Sequence, residues 1–247
     1  MFEQAHIRKI ITAHSAHAAP LPDGVEIAEL MLQKEEAYLN RRFYTSQKKQ
    51  RPYVILKWAQ TADGLIAREN YDSKWISGPL SRKLVHKWRS EEAAIMVATN
   101  TARYDNPRLN VRDWSGKDPV RVVIDRQLRL PAELHLFDHT QPTLCYNSFK
   151  EEKQENLQWI KIDAPDELSF LKLLLADLYQ KKMPSLIVEG GSHLLCMMVA
   201  HQMWDEARVF IAPQSFGKGI SAPPLPSSAK TDEKQIGDDL LLFYQNF

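Results

Sequence analysis

The sequence predicts an α/β protein with a mostly parallel sheet and helices on both faces. Residues 93–98 and 185–188 are short, nearly continuous apolar runs, which is typical of strands buried on both faces. Residues 166–181 carry leucines at helical spacing, so strands and helices alternate along the chain. Residues 208–212 and 240–244 are late strands separated by a Pro/Ser-rich loop without a strong helix, which predicts an antiparallel C-terminal edge.

The remaining elements of the main part of the chain follow from the same patterns. Further strands are expected at residues 53–59, 120–124, 143–146 and 159–162. Further helices are expected at residues 79–89 and 192–203. Pro79 supports the first of these helices, because proline is tolerated at a first helical position.

The N-terminal stretch has a different pattern. It predicts, in order, a helix, a turn, a strand and a helix at residues 6–18, 19–24, 25–27 and 28–42. A charged linker then ends at Pro52, which marks a boundary because the residue before a proline avoids helical geometry. We therefore expect an appendage of residues 1–48 and a main domain of residues 49–247.

Composition argues against several classes of protein. Lys plus Arg (32) nearly equals Asp plus Glu (31), so no overall charge attracts nucleic acid or an anionic membrane. No apolar run approaches the ~20 residues that span a bilayer, and the N-terminus lacks the apolar core of a signal peptide. Cys145 and Cys196 lie far apart in apolar runs, which favours buried thiols over a disulfide. We expect a soluble, cytoplasmic protein.

Two glycines follow the predicted strand at residues 185–188, and a helix begins at once. Gly190 and Gly191 would let a ligand approach the backbone, and the helix N-terminus offers N–H groups to a phosphate. A tight turn that needs a positive φ explains the same residues equally well. Glu189 ends the strand and would point into the crevice where open α/β sheets bind ligands. Taken alone, a capping or surface carboxylate is its commoner role.

A second strand end carries Thr99, Asn100 and Thr101 and leads towards Asp105. Their hydroxyl and amide groups suit a phosphate or ribose, although the capping of a short helix is their commoner use. An aspartate in a crevice can position or protonate a reacting group.

Charged residues on the neighbouring loops and helix end suit phosphate recognition, although any single arginine is by default a solvated surface residue. These candidates are Ser73, Lys74, Arg89, Arg108 and Arg112. No activated Ser or Cys nucleophile and no Cys/His cluster with zinc spacing is present. His6, His14 and His17 do not form a metal set. The pattern points to a site of phosphates, hydrogen bonds and a cofactor, with no metal.

Jointly, these segments resemble the reductase domain of the bifunctional riboflavin-biosynthesis deaminase/reductase family. The similarity covers residues 51 to about 220 and includes Asp63-Gly64, Ser73-Lys74-Trp75-Ile76, Asp105-Asn106-Pro107 and Glu189-Gly190-Gly191. The resemblance implies a dihydrofolate-reductase-like fold, NADPH as cofactor, a phosphorylated aminouracil substrate and a homodimer. One departure is residues 97–101, where many members are glycine-rich.

The resemblance also implies roles for individual residues. Substrate contacts are implied at Ser73, Arg89, Leu109, Arg112 and Glu189. Cofactor contacts are implied at Ala59, Trp75, Thr101, Asp105, Arg126, Gly190, Gly191, Ser192, His193 and Leu194. Asp105 is the candidate catalytic residue, because it is expected near the site of hydride transfer.

Residues 1–48 resemble the tail of the family's deaminase domain. The zinc-deaminase signature, His-x-Glu followed by Pro-Cys-x-x-Cys, is absent from this sequence, so we expect neither zinc nor deaminase activity. The implied reaction is the NADPH-dependent reduction of 5-amino-6-(5-phosphoribosylamino)uracil to its ribitylamino product. Two alternatives stay open: a reductase of another pterin or pyrimidine, such as dihydrofolate, and a non-catalytic partner subunit that kept the fold.

Overall fold

The structure is a computed structural model that describes residues 9–12, 26–29 and 33–246. Its strands are β1 (Lys9–Thr12), β2 (Glu26–Glu29), β3 (Tyr53–Thr61), β4 (Leu65–Ala67), β5 (Ala94–Ala98), β6 (Val120–Ile124), β7 (Thr143–Asn147), β8 (Glu152–Gln154), β9 (Leu157–Lys161), β10 (Ser185–Val188), β11 (Glu206–Ala212), β12 (Ile220–Ser221), β13 (Lys230–Ile236) and β14 (Asp239–Gln245). Its α-helices are α1 (Gln33–Leu39), α2 (Arg41–Lys49), α3 (Pro79–Glu91), α4 (Thr99–Asp105), α5 (Glu167–Gln180) and α6 (Ser192–Ala200).

The main sheet contains ten of the described strands, in the order β13-β14-β11-β3-β10-β5-β6-β7-β9-β8. Pairing is parallel throughout from β11 to β9. It is antiparallel only at the margins, where β14 pairs with β11 and β13, and β8 pairs with β9. The predicted mostly parallel sheet with an antiparallel C-terminal edge is therefore confirmed.

Helices cover both faces of this sheet, as predicted. Side chains of β3 alternate between the faces: Val54 and Leu56 belong to one apolar cluster, and Tyr53 and Ile55 belong to the other. The first cluster packs beneath α5 and α6, whereas the second packs beneath α3 and α4. The sheet is buried on both sides, which explains why its central strands are mainly apolar.

Two predicted N-terminal elements are wrong where the structure describes them. Lys9–Thr12 is a strand paired in parallel with Glu26–Glu29, rather than part of a helix at residues 6–18. The helix expected at residues 28–42 begins instead at Gln33 and is interrupted at Asn40 between α1 and α2. For the first of these two elements the physical reason is local: the adjacent β-branched residues at positions 10 and 11 favour the extended backbone of β1. The turn at residues 19–24, together with His6, His14 and His17, lies outside the described residues.

Helix α2 ends at Lys49, so the predicted boundary between residues 48 and 49 falls in its last turn. Arg42 on this helix donates Nε–H to Oε2 of Glu92 at 2.8 Å, and its Nη2 contacts Oε1 of the same carboxylate. Glu92 precedes β5, so this contact joins α2 to the amino ends of the parallel strands. The division into residues 1–48 and 49–247 stays a prediction.

Three further findings bear on expectations from composition. Cys145 is buried and Cys196 is half-buried, and both are free thiols. Burial raises the pKa of the Cys145 thiol to about 12. Within the described ranges, helices long and apolar enough to cross a membrane are not found. The same ranges contain no cluster of three or more His, Cys, Asp or Glu side chains that could hold a metal ion.

Candidate active site

The carboxyl ends of the central parallel strands open into a cleft of about 1490 Å³. Strand β5 continues into α4 at this edge, and β10 continues through two glycines into α6. All of the substrate and cofactor residues implied by the resemblance line the cleft: Ala59, Ser73, Trp75, Arg89, Thr101, Asp105, Leu109, Arg112, Arg126, Glu189, Gly190, Gly191, Ser192, His193 and Leu194. The topology therefore brings together residues that are up to 135 positions apart, from Ala59 to Leu194.

A buried ion pair between Arg89 and Glu189, termed the cleft pair below, lies in the cleft wall. Nε of Arg89 donates to Oε1 of Glu189 at 2.9 Å, and Nη2 donates to Oε2 at 2.7 Å. The side chains are only 11% and 8% exposed. Burial alone would raise the pKa of Glu189, but Arg89 and then Lys57 outweigh it and lower that pKa to about 2. The carboxylate is therefore charged at neutral pH, and its arginine is oriented by two bonds rather than free to move.

Lys57 is a cleft residue that sequence reasoning left without a role. It lies on β3, lines the cleft and interacts electrostatically with both members of the cleft pair. Burial lowers the pKa of its ammonium group, against the opposing effect of Glu189. One signal could have identified it: it is the single charged residue of the otherwise apolar run from Tyr53 to Ala59. A cation placed inside a buried strand requires either a partner or a function.

The two glycines bring the backbone close to α4. A Cβ atom would lie 3.2 Å from Oγ1 of Thr101 if added to Gly190, and 3.1 Å from it if added to Gly191. Gly190 also has a φ of +128°, a conformation that side chains disfavour. The peptide bond between the two glycines is cis. Both glycines thus form a cradle that side chains at these positions would narrow.

Helix α6 begins directly after this cradle, with Gly191 as its N-cap. Glycine provides no side chain to accept from the first N–H groups of the helix. These N–H groups, together with the positive end of the helix dipole, suit a phosphate or pyrophosphate. Ser192, His193 and Leu194 form the first turn and line the cleft. The cradle and the helix end therefore fit the diphosphate group of a dinucleotide cofactor.

Asp105 ends α4 and faces the loop that carries Ser73. The Ser73 hydroxyl is 3.2 Å from both carboxylate oxygens of Asp105. Burial raises the pKa of Asp105, against the hydrogen bond from Ser73 and the charge of Lys74. Tyr71 on the same loop stacks on Tyr104 of α4, with ring centroids 4.6 Å apart. The loop is thus held against α4 at the cleft edge, and Asp105 is the carboxylate most suited to hold a proton there.

The other predicted residues differ in how they meet the cleft. Arg112 is half-exposed, and its Nε lies 3.8 Å from Oδ2 of Asp113. Arg126 stacks on Phe170, with its guanidinium carbon 5.1 Å from the ring centroid. Trp75 is 66% exposed, whereas Leu109 is 1% exposed and packs in the core under the cleft wall. Leu109 therefore shapes the wall more than it offers a side chain to a ligand.

This architecture and this strand-end cleft define the dihydrofolate-reductase class of α/β fold. Dihydrofolate reductase from Enterococcus faecalis superposes with a TM-score of 0.50 at 14% identity, over 79% of this chain and 97% of that one, which shows a shared fold. The family model for the RibD C-terminal domain matches residues 52–239. The chain belongs to the RibD C-terminal domain family.

Individual relatives cover different shares of their own length. The riboflavin biosynthesis protein RibD of Aquifex aeolicus is 34% identical over 91% of this chain, which spans 66% of that protein. The 2,5-diamino-6-ribosylamino-4(3H)-pyrimidinone 5′-phosphate reductase of Methanothermobacter thermautotrophicus is 35% identical over 78% of this chain and 98% of its own length. The chain thus spans slightly less than two thirds of the first relative and nearly all of the second.

A solved structure similar to the whole chain comes from Thermotoga maritima. It is a diaminohydroxyphosphoribosylaminopyrimidine deaminase/5-amino-6-(5-phosphoribosylamino)uracil reductase with a TM-score of 0.83 and 26% identity. The match covers 100% of this chain and 73% of that one.

Proposed function

We propose that this protein is an NADPH-dependent reductase of 5-amino-6-(5-phosphoribosylamino)uracil that converts its ribosylamino side chain to ribitylamino. One observation carries this proposal: the charged cleft pair and the amino end of α6, which has no side-chain cap, lie in one cleft. The relatives support it, because the M. thermautotrophicus protein is a reductase of a ribosylaminopyrimidinone phosphate and lacks most of the additional length seen in RibD.

The cofactor half of the proposed site consists of the glycine cradle, Thr101 and the first turn of α6. Its N–H groups would hold the pyrophosphate, and Arg126 would contribute a positive charge on the same side of the cleft. Trp75 and Ala59 would line the path of the cofactor. When bound, NADPH would supply the hydride that reduces C1′ of the open, imine-like ribosyl chain.

The substrate half consists of the cleft pair, Lys57 and Arg112. Glu189 is an acceptor that stays charged, so it suits the N–H groups of a pyrimidine ring. Arg112 is a half-exposed guanidinium at the cleft edge and suits the anionic phosphate. Ser73 and Leu109 would complete the walls.

The nitrogen attached to C1′ must end the reaction protonated, so the site needs a group that holds a proton. Asp105 is suited to this role, because burial raises its pKa and Ser73 fixes its orientation. The positive charge of the Lys57 ammonium would attract a negatively charged group to the substrate half of the cleft. This division gives the hydride and the proton separate sources.

The direct test is to measure NADPH oxidation by the purified protein with the deaminated ribosylaminouracil phosphate as substrate. Turnover is expected, with a known reductase of this reaction as the positive control. No turnover in a well-folded sample would contradict the proposal. A competing assay with dihydrofolate separates the alternative of a different pterin or pyrimidine substrate.

The second alternative, a non-catalytic partner subunit, predicts no rise in melting temperature with saturating NADPH. The same thermal-shift measurement with NADH determines how strictly the 2′-phosphate is required. A large shift with NADPH and a small one with NADH is the expected result.

The proposal includes further properties that follow from family membership. Residues 1–48 are proposed to correspond to the end of a deaminase domain, and the protein is proposed to act in the cytoplasm as a homodimer. Light scattering coupled to size-exclusion chromatography would measure the mass of the particle against the 28.5 kDa of one chain. A particle of one chain at micromolar concentration would contradict the homodimer.

A further inference from the structure

Residues 110–113 form the part of the cleft wall that carries Arg112. Helix α3 contacts this segment through two residues one helical turn apart. Arg89 donates Nη1–H to the carbonyl oxygen of Asn110 at 3.1 Å. His86 accepts the backbone N–H of Arg112 at Nδ1, over 3.4 Å. Its other nitrogen, Nε2, lies 3.3 Å from Oδ2 of Asp113. The histidine ring thus contacts two consecutive residues of the wall.

These contacts define the protonation state of His86. Because Nδ1 accepts a hydrogen bond, the ring proton is on Nε2 and faces Asp113. Burial, followed by the charges of Arg89 and Arg112, outweighs the opposite effect of Asp113 and Glu189 and lowers the pKa of His86 to about 4. The ring is therefore neutral at pH 7 and keeps Nδ1 available as an acceptor.

Asp113 is shared between His86 and Arg112. Its Oδ2 lies 3.3 Å from Nε2 of the histidine and 3.8 Å from Nε of the arginine. Without the histidine N–H, the carboxylate would have Arg112 as its nearest described partner and would compete with a bound anion for the guanidinium. His86 is only 3% exposed, whereas the side chain of Arg112 is 50% exposed in the cleft.

We propose that His86 is a positioning residue that holds Arg112 ready for the anionic group of the substrate. It does so by accepting the backbone N–H of Arg112 and by donating to Asp113. This inference rests on the proposed function, which assigns Arg112 to substrate. His86 itself does not contact the reacting atoms in this scheme.

The test compares three substitutions of His86 that preserve different contacts. His86→Asn keeps an acceptor near the position of Nδ1, His86→Gln keeps a donor near Nε2, and His86→Leu keeps neither. Loss of a neutral hydrogen bond weakens an interaction by about 0.5–1.5 kcal/mol, so His86→Leu should raise the substrate KM roughly threefold to tenfold. The Kd for NADPH, measured by calorimetry, should stay unchanged in all three variants. The substrate KM of His86→Asn should lie closer to the wild-type value than that of His86→Leu.

A double-mutant cycle with Arg112→Ala separates positioning from a general structural role. Once Arg112 is truncated, His86→Leu should cause no further rise in substrate KM. An equal rise in both backgrounds, or His86→Asn no better than His86→Leu, overturns the inference. If His86→Leu fails to fold, the cycle is run with His86→Gln, which loses the acceptor for the N–H of Arg112; an equal rise in substrate KM with and without Arg112→Ala then overturns the inference.

The cycle also distinguishes failure of this inference from failure of the proposed function. If Arg112→Ala raises the substrate KM but His86 variants do not, only the role of His86 is wrong. If Arg112→Ala leaves the substrate KM unchanged, the assignment of Arg112 to substrate is wrong, and the role of His86 is overturned with it.

Discussion

Two buried arginine–glutamate pairs lie at opposite ends of the parallel strands, and they differ in what surrounds them. The cleft pair, Arg89 with Glu189, borders a cavity of about 1490 Å³. The opposite pair, Arg42 with Glu92, lies at the amino ends of the strands, where the Glu92 side chain is 0% exposed. Arg42 also lines a cavity, a smaller one of about 660 Å³, so burial, charge and a neighbouring cavity do not by themselves distinguish the two pairs. The cleft pair differs because its cavity lies at the carboxyl ends of the strands and also contains the glycine cradle and the amino end of α6.

The opposite pair belongs to a network that joins α2 to the sheet. Nη2 of Arg208 lies 3.9 Å from Oε1 of Glu92, and its Nε donates to Oε1 of Glu206 at 2.6 Å. The Arg208 guanidinium carbon also lies 4.6 Å from the ring centroid of Trp88. Replacing one partner of a buried pair leaves the other charge uncompensated, which costs about 3–5 kcal/mol wherever the pair lies. Replacing an arginine at either end of the sheet should therefore lower the free energy of unfolding. Only the replacement at the cleft end should weaken substrate binding.

The largest expected effect comes from Arg89→Ala compared with Arg42→Ala. Both variants should lower the free energy of unfolding by about 3 kcal/mol, because each leaves a buried glutamate without its main partner. Arg89→Ala should in addition weaken substrate binding by roughly tenfold or more, because it disorders Glu189 and removes a charged donor. Urea unfolding and titration calorimetry on the folded proteins measure the two effects.

The comparison fails if the two arginines behave alike in binding. Equal losses of substrate and NADPH affinity in Arg89→Ala would show that Arg89 is not specific to the substrate half. A tenfold loss of substrate affinity in folded Arg42→Ala would show that the amino ends of the strands communicate with the cleft.

The next effect separates the two glycines within the cleft. Gly190 has a φ of +128°, so Gly190→Ala should lower apo stability through backbone strain. Gly191 has an extended backbone with a φ of −75°, so Gly191→Val should keep the fold while its side chain meets Oγ1 of Thr101 and narrows the cradle. We expect Gly191→Val to lose most of the NADPH-induced rise in melting temperature.

Melting curves with and without NADPH test this distinction. A large fall in apo melting temperature for Gly191→Val, with NADPH affinity kept in the folded fraction, would reduce Gly191 to a conformational role. The matched Thr101→Ser variant keeps Oγ1 and should bind NADPH normally if the oxygen is the group that contacts the cofactor.

Much of the fold could be predicted because burial on both faces leaves a strong local signal. The predicted bounds of β6 and β10 agree with the structure, since both strands are short and mainly apolar, with Arg121 and Ser185 as their respective polar residues. Asp166, the first residue of the helix predicted at residues 166–181, is the N-cap of α5 and accepts the backbone N–H of Ser169 at 2.7 Å. In each case the local sequence and the tertiary structure favour the same conformation.

The remainder depends on contacts that a local pattern does not contain. Strand β13 has the sequence Lys-Thr-Asp-Glu-Lys-Gln-Ile and is mostly exposed, so it forms through pairing with β14 rather than through apolar alternation. Helix α4 was not among the predicted helices, because Thr99 and Asn100 left ligand binding open beside the commoner capping role; both residues lie inside α4, whose N-cap is Ala98. The cleft pair joins residues 100 positions apart, and only the strand order shows that they meet.

A smaller effect should appear in the pH dependence of stability. The pKa of His86 is lowered from 6.5 to about 4, so between these values the unfolded chain binds a proton that the folded protein does not. The free energy of unfolding should therefore fall as pH drops from about 6.5 to about 4. The amino-end carboxylates Asp205 and Glu206 have lowered pKa values and lose their contribution only in stronger acid.

Denaturant unfolding at several pH values measures this dependence, with His86→Asn as the non-titrating control. The wild-type protein should lose stability over this window relative to His86→Asn. Parallel pH profiles for the two proteins would contradict the buried neutral histidine and would remove the difference in acid sensitivity between the two ends of the sheet.

The smallest effect is expected at Lys49, at the end of α2. Its Nζ donates to Oδ1 of Asp205 at 2.8 Å, but its side chain is 47% exposed. Arg51 donates to both oxygens of the same carboxylate, at 2.5 Å and 2.9 Å, and its side chain is 12% exposed. Lys49→Ala should therefore lower the free energy of unfolding by less than about 1 kcal/mol and leave substrate and NADPH binding unchanged, because water and Arg51 still compensate the carboxylate.

Arg51→Ala should lower the free energy of unfolding more, because Asp205 is only 5% exposed. Its carboxylate would keep only the exposed lysine and the N–H of Val54, 2.8 Å away. Urea unfolding of the two variants measures this order; the reverse order would mean that the exposed lysine, rather than the buried bidentate arginine, attaches α2 to the sheet.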